Sequence, residues 1–190
     1  MFIQIETTPN PQTLKFIPGI EVTGGEPFNF PTKETAHTSP LAQILFEIPD
    51  VASVFLGFDF VTITKKDQAE WDTLKPILLA TIMDHFISNK PVLSADQLST
   101  TSTSQINAND SEIVKQIKEI IETKVRPAVA QDGGDIVYHS FEDGVVKLEL
   151  HGSCSGCPSS TITLKNGIEN MLKHYVPEVE AVEAIQPHEF

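Results

Sequence analysis

Apolar and polar positions along the chain fall into stretches of period two and stretches of helical period. FIQIETT (residues 2–8) alternates as a strand does, and TLKFIPG (13–19) can pair back with it. Pro9-Asn10-Pro11 between them is a turn signal, because proline fixes φ and asparagine bonds its own backbone. SPLAQILFEI (39–48) predicts a short helix with Ser39 as N-cap and Pro40 at the first helical position. VASVFLGFDFVTITK (51–65) predicts two strands turning near Gly57–Asp59. Trp71, Leu74, Ile77, Leu78, Ile82 and Phe86 then repeat at helical spacing.

The pattern stops at ADQLSTTSTSQINAND (95–110), which is rich in Ser, Thr, Asn and Gln and holds no aromatic residue. Such a segment cannot bury enough apolar surface to offset its ordering entropy, and it predicts a flexible linker. After it, Asp110 or Ser111 can cap a helix through Ile113, Ile117, Ile120, Ile121 and Val125, with Pro127 near its end. QDGGD (131–135) predicts a turn where that helix stops, its glycines able to take positive φ. DIVYHSFEDGVVKLELHG (135–152) predicts a hairpin about Asp143-Gly144. A helix capped by Ser159 or Ser160 carries Ile162, Leu164, Ile168, Met171, Leu172 and Tyr175, and VEAVEAI (179–185) closes as a strand. The fold class expected is α+β: two small α+β domains, residues 1–90 and 110–190, joined by a linker over 91–109. The C-terminal domain has the order α-β-β-α-β, and no repeat relates the two.

Charge narrows the partners. Lys plus Arg number 13 against 26 Asp plus Glu, a formal net charge of −13, with both halves acidic. Nucleic acid is a poor match for such a surface and a basic protein surface a better one. The apolar run near Pro76–Met83 is too short to span a bilayer, so no membrane association is expected. MFIQIETTPNPQ has neither a basic n-region nor an apolar h-region. The expectation is a cytoplasmic bacterial protein, or a mitochondrial matrix protein in mature form.

Both cysteines of the chain, Cys154 and Cys157, stand in HGSCSGCPSS (151–160), between a strand end and a helix start. The unpaired N–H groups of a first helical turn favour thiolates by about 0.3–1 kcal/mol when exposed, so the thiol pKa values are expected to fall. Three chemistries fit C-x-x-C here. A structural zinc site needs four ligands, and two are present, with His151 an awkward third. A dithiol/disulfide oxidoreductase would use the same pair, although a helix and hairpin precede it rather than a βαβ unit. A [4Fe–4S] cluster takes four thiolates, which a symmetric dimer supplies from two chains. Asp132 and Asp135 are assigned to turn formation, and His37, His85, His139, His151 and His174 to structural or surface roles. No Ser/His/Asp order or carboxylate pair argues for hydrolysis, and no enzyme activity is expected.

QDGGDI followed by VVKLELHGSCSGCPSSTITLKNGIE resembles the NifU-like C-terminal domain of the Nfu family of iron–sulfur cluster carriers, over about residues 111–185. TTPNPQTLKFIPG and the segments up to about residue 88 resemble the companion Nfu N-terminal domain. The resemblance implies a scaffold that binds a [4Fe–4S] cluster bridging two chains through Cys154 and Cys157. It further implies cluster-dependent homodimerisation, upstream assembly proteins as donors and apo iron–sulfur proteins as recipients.

Overall fold

The computed structural model describes residues 2–94, 110–155 and 158–185. The chain divides into two compact units, Met1–Thr101 and Ser102–Phe190, each with its own hydrophobic core. Both are α+β, as expected. The stretch 95–109, the body of the expected linker, lies outside the described residues. No described helix is long and apolar enough to cross a membrane.

In the first unit, β1 (Gln4–Thr7), β2 (Thr13–Ile17), β3 (Phe28–Phe30), β4 (Val51–Leu56) and β5 (Val61–Lys65) form one antiparallel sheet in the order β1-β2-β5-β4-β3. Register follows the apolar alternation. Leu14 and Val54 both stand opposite Ile63, and Phe16 and Leu56 both stand opposite Val61, so the large side chains line up in rows. These rows share one core with Leu41 and Leu45 of α1 (Pro40–Phe46) and Leu74, Leu78 and Ile82 of α2 (Trp71–Ile87). Ser39 caps α1 as predicted, its Oγ accepting from the Ala42 N–H at 3.1 Å. The Pro-Asn-Pro turn is closed by Asn10 Oδ1, which accepts from the Gln12 N–H at 3.0 Å, and the Trp71 indole donates to Pro11 O at 3.0 Å. β3 and the 3-10 segment Lys33–Thr38 are additions to the predicted elements.

The second unit runs α3 (Glu112–Ile120), a π-helical segment (Ile121–Val125), α4 (Arg126–Gln131), β6 (Gly134–Glu142), β7 (Val145–Gly152), α5 (Pro158–Tyr175) and β8 (Ala181–Ile185). The sheet order is β6-β7-β8, antiparallel then parallel, with α5 as the crossover. Ser111 is the N-cap of α3, accepting from Val114 N–H at 3.3 Å, while Asp110 takes the Lys118 ammonium at 2.7 Å. The helical run continues past Pro127 to Gln131 and stops at the glycine turn, as expected; a π-helical segment, in which the Arg126 N–H donates to Ile121 O, precedes the proline. Asp143 (φ 50°) and Gly144 (φ 79°) make the hairpin turn, and a bulge at His139 interrupts the ladder. Ile117, Ile121, Val125 and Val129 pack with Ile136, Leu148, Ile168 and Leu172.

Candidate functional site

The Cys154 loop leaves β7, the middle strand of its sheet, and folds back on the turn between α4 and β6. Gly134 stands opposite Gly152 at the end of the ladder. Hydrogen bonds from Ser153 hold the loop to that turn, and others brace it from β7 and α5. Ser153 N–H donates to Gly133 O at 3.2 Å and its Oγ to Asp132 O at 2.5 Å. Cys154 N–H donates to His151 O at 3.3 Å, and Thr161 Oγ1 in α5 donates to Cys154 O at 3.3 Å.

The acidic glycine turn serves this approach in two ways. Gly133 takes φ 80°, as expected for the end of a helix. Gly134 has a different role, inside β6. A Cβ placed on it would overlap the Cys154 sulfur and lie 2.8 Å from His151 O and 3.1 Å from the Cys154 nitrogen. Only glycine leaves room for the sulfur.

Asp135 is a strand residue rather than a turn residue, and it is buried. Arg126 holds it with two parallel bonds, Nε to Oδ1 at 2.8 Å and Nη2 to Oδ2 at 2.9 Å, and reaches Glu122 with Nη1 at 2.9 Å. Partial burial works against the guanidinium charge, yet the hydrogen bonds and charges of Asp135 and Glu122 outweigh it and raise the Arg126 pKa. This ion-paired brace under the cysteine loop was not anticipated from the sequence. Its signal there was an Arg-Pro pair just ahead of the glycine turn.

Cys154 is 5% exposed. Burial pushes its thiol up to about 12, the Ser153 hydrogen bond opposes this, and the Asp132 and Asp135 carboxylates add to it. The expectation of a lowered pKa is therefore overturned for Cys154, which is buried and stands ahead of a helix that begins only at Pro158. Cys157 lies outside the described residues. The helix after the motif starts at Pro158, so Ser159 and Ser160 fall within its first turn instead of capping it.

The remaining candidates scatter. His151 Nε2 meets Glu149 Oε1 at 2.8 Å, His37 Nδ1 meets Glu34 O at 3.1 Å, and His174 stacks edge-on to Tyr175. His85 is buried in the first unit, and His139 forms the bulge in β6. Among the described residues no three His, Cys, Asp or Glu side chains come together as a metal site.

Two family models match the chain. "Scaffold protein Nfu/NifU N terminal" covers residues 3–89, and "NifU-like domain" covers residues 117–183, which includes both cysteines. The chain belongs to the Nfu family. Relatives of this Nfu chain include proteins of Drosophila willistoni and Drosophila erecta, each named "NFU1 iron-sulfur cluster scaffold homolog, mitochondrial". They are 52% and 53% identical to it over 186 residues, 97% of this chain. The chain spans 64% and 65% of their lengths. Among solved structures, a NifU-like protein from Saccharomyces cerevisiae is 27% identical with a TM-score of 0.45. That match covers 50% of the Nfu chain and 86% of the yeast one.

Proposed function

We propose that this chain is an iron–sulfur cluster scaffold and carrier, not an enzyme, whose cargo is a [4Fe–4S] cluster held by Cys154 and Cys157. The observation that carries the proposal is the Cys154 loop, fixed by backbone and hydroxyl bonds against a glycine that leaves room for sulfur alone. A cluster of this type takes four thiolates and the chain has two cysteines. Two copies complete the set, with the cluster bridging a homodimer.

The thiol chemistry suits loading and release. A Cys154 thiol raised to about 12 is protonated in the empty site at neutral pH, so iron displaces a proton on binding and a proton returns on release. Incoming thiolates of an apo-protein can then exchange onto iron without leaving a buried thiolate behind. Upstream assembly proteins donate the cluster, apo iron–sulfur proteins receive it, and the setting is the mitochondrial compartment named for the relatives. The first domain, residues 1–90, docks partners, and residues 91–109 tether it to the carrier domain, residues 110–190.

Anaerobic reconstitution with iron and sulfide, followed by native mass spectrometry, tests this. The expected product is a dimer heavier than two chains by one Fe4S4 unit, absent in Cys157→Ala. A colourless monomer that shuttles between dithiol and disulfide would instead identify an oxidoreductase. Deleting residues 1–90 is expected to leave loading intact and slow delivery to an apo-acceptor; equal delivery rates would remove the docking role.

A further inference from the structure

The end of the first sheet where β1 begins and β2 finishes gathers exposed apolar side chains. The ladder fixes this: Gln4 stands opposite Ile17 and Phe16 opposite Val61, so the residues before β1, after β2 and before β5 share one end. Phe28 opposite Leu56 brings the start of β3 there too. The loop between β2 and β3 crosses the β4–β5 turn, Val22 N–H donating to Phe58 O at 2.7 Å and Thr23 Oγ1 to Gly57 O at 3.2 Å. Val22 is buried, and that anchors the loop, yet its neighbours face outward. Ile20 is 43% exposed, Phe58 47% and Phe2 85%.

The loops at this end carry charge of one sign. The loop 18–27 and the turn 57–60 hold Glu21, Glu26 and Asp59, all exposed, and no Lys, Arg or His. Lys15 reaches over the Phe60 ring, but it is buried and its ammonium faces Glu6. Exposed apolar groups gathered within a polar rim mark an interaction site, and the sign of the rim selects the occupant. A second copy would set carboxylates against carboxylates, and an anionic lipid surface would be repelled in the same way. A short apolar segment flanked by Lys or Arg satisfies both the centre and the rim.

We propose that this acidic-rimmed tip, centred on Ile20 and Phe58, is the docking surface of the first unit and takes a basic, apolar segment of a partner protein. The proposal rests on the docking role given above to residues 1–90. Its test uses the full chain without cluster, so failure of cluster loading would not touch it. The probe is a synthetic Leu/Lys amphipathic peptide, titrated into isotope-labelled protein by NMR, with a Leu/Glu peptide of the same pattern alongside. The Leu/Lys peptide is expected to shift the amides of 18–27 and 57–60, and to weaken at least tenfold for Phe58→Ser and for Glu21→Lys/Asp59→Lys. Both variants change exposed side chains and keep the backbone bonds of Phe58, and unchanged thermal melts will check that they fold. Shifts mapping elsewhere, equal binding of the Leu/Glu peptide, or wild-type affinity in Phe58→Ser would overturn the proposal. Shifts of the same amides on raising protein concentration without peptide would overturn it in favour of self-association.

Discussion

Arg126 and Asp135 meet through two parallel hydrogen bonds at 2.8 and 2.9 Å, and Asp135 directly follows Gly134, the residue against which the Cys154 sulfur packs. Asp135 is buried and Arg126 only partly so, and the two parallel bonds fix the geometry in which the buried carboxylate keeps its charge compensated. Arg126→Met strands the carboxylate and is expected to destabilise the second unit by about 3–5 kcal/mol. Arg126→Met with Asp135→Asn should regain part of that loss. Both tyrosines, Tyr138 and Tyr175, lie in this unit and the single tryptophan, Trp71, lies in the other. Urea unfolding followed at the tyrosines will therefore read the effect, and a wild-type midpoint in the single variant would refute it.

Two glycines of the second unit should answer an added methyl group in opposite ways. Gly134→Ala forces the methyl into the Cys154 sulfur and should cost about 1–3 kcal/mol, with iron loading reduced in parallel. Gly167 lies in α5, and a methyl carbon added there would meet nothing within 4 Å. Gly167→Ala should stabilise by about 0.5–1 kcal/mol and leave loading alone. Thermal melts and iron content of the two variants make the comparison.

The buried thiol sets a pH dependence. Its folded pKa of about 12 lies above the ordinary value of 9.0, so the folded state holds its proton longer than the unfolded chain does. The stabilisation is complete below pH 9 and is lost as pH rises through 12. In cluster-free Cys157→Ser protein, Cys154 should resist iodoacetamide at about pH 8, below both values, and react promptly once urea unfolds the chain. Mass spectrometry of the alkylated fraction reads this, and rapid labelling of the folded protein would contradict it.

His85 predicts the opposite sign in the first unit. The ring is 1% exposed, and burial lowers its pKa below 6.5, with Lys90 adding to this and Asp84 opposing it. The unfolded chain takes up the proton first, so stability is complete above pH 6.5 and falls as pH drops through the folded pKa. Trp71 fluorescence should show the melting temperature declining in acid for the wild type, and declining less for His85→Leu.

Local chemistry was legible wherever one residue type has few alternatives. Ser39-Pro40 ahead of an apolar run marked a helix start, and Asp143-Gly144 supplied the two positive φ angles of a tight hairpin. β3 escaped because three residues, Phe28–Phe30, carry too little periodicity, and their strand state comes from pairing with β4. The helix through Pro127 to the glycine turn was legible, but its π-helical segment Ile121–Val125 was not, because apolar periodicity does not distinguish a π turn from an α turn. At the cysteine motif the residues were evident and the electrostatics were not. The thiol's burial depends on Gly134, about twenty residues upstream, which no local window joins to it.

The strand that delivers Cys154 is paired with β6 up to Gly152 and with β8 over Val145–Glu149. Central strands of a small sheet exchange their amide hydrogens only through global opening, whereas edges fray. The hydrogen-exchange consequence is that Val146 and Leu148, within the doubly paired stretch, should rank among the slowest amides of the unit. The part of the cysteine loop that leaves this strand, Ser153–Ser155, is anchored by its own hydrogen bonds at the end of a doubly paired element. The direction from which Cys154 is presented is therefore set by the most protected strand of the unit, and opening that strand would cost the whole sheet.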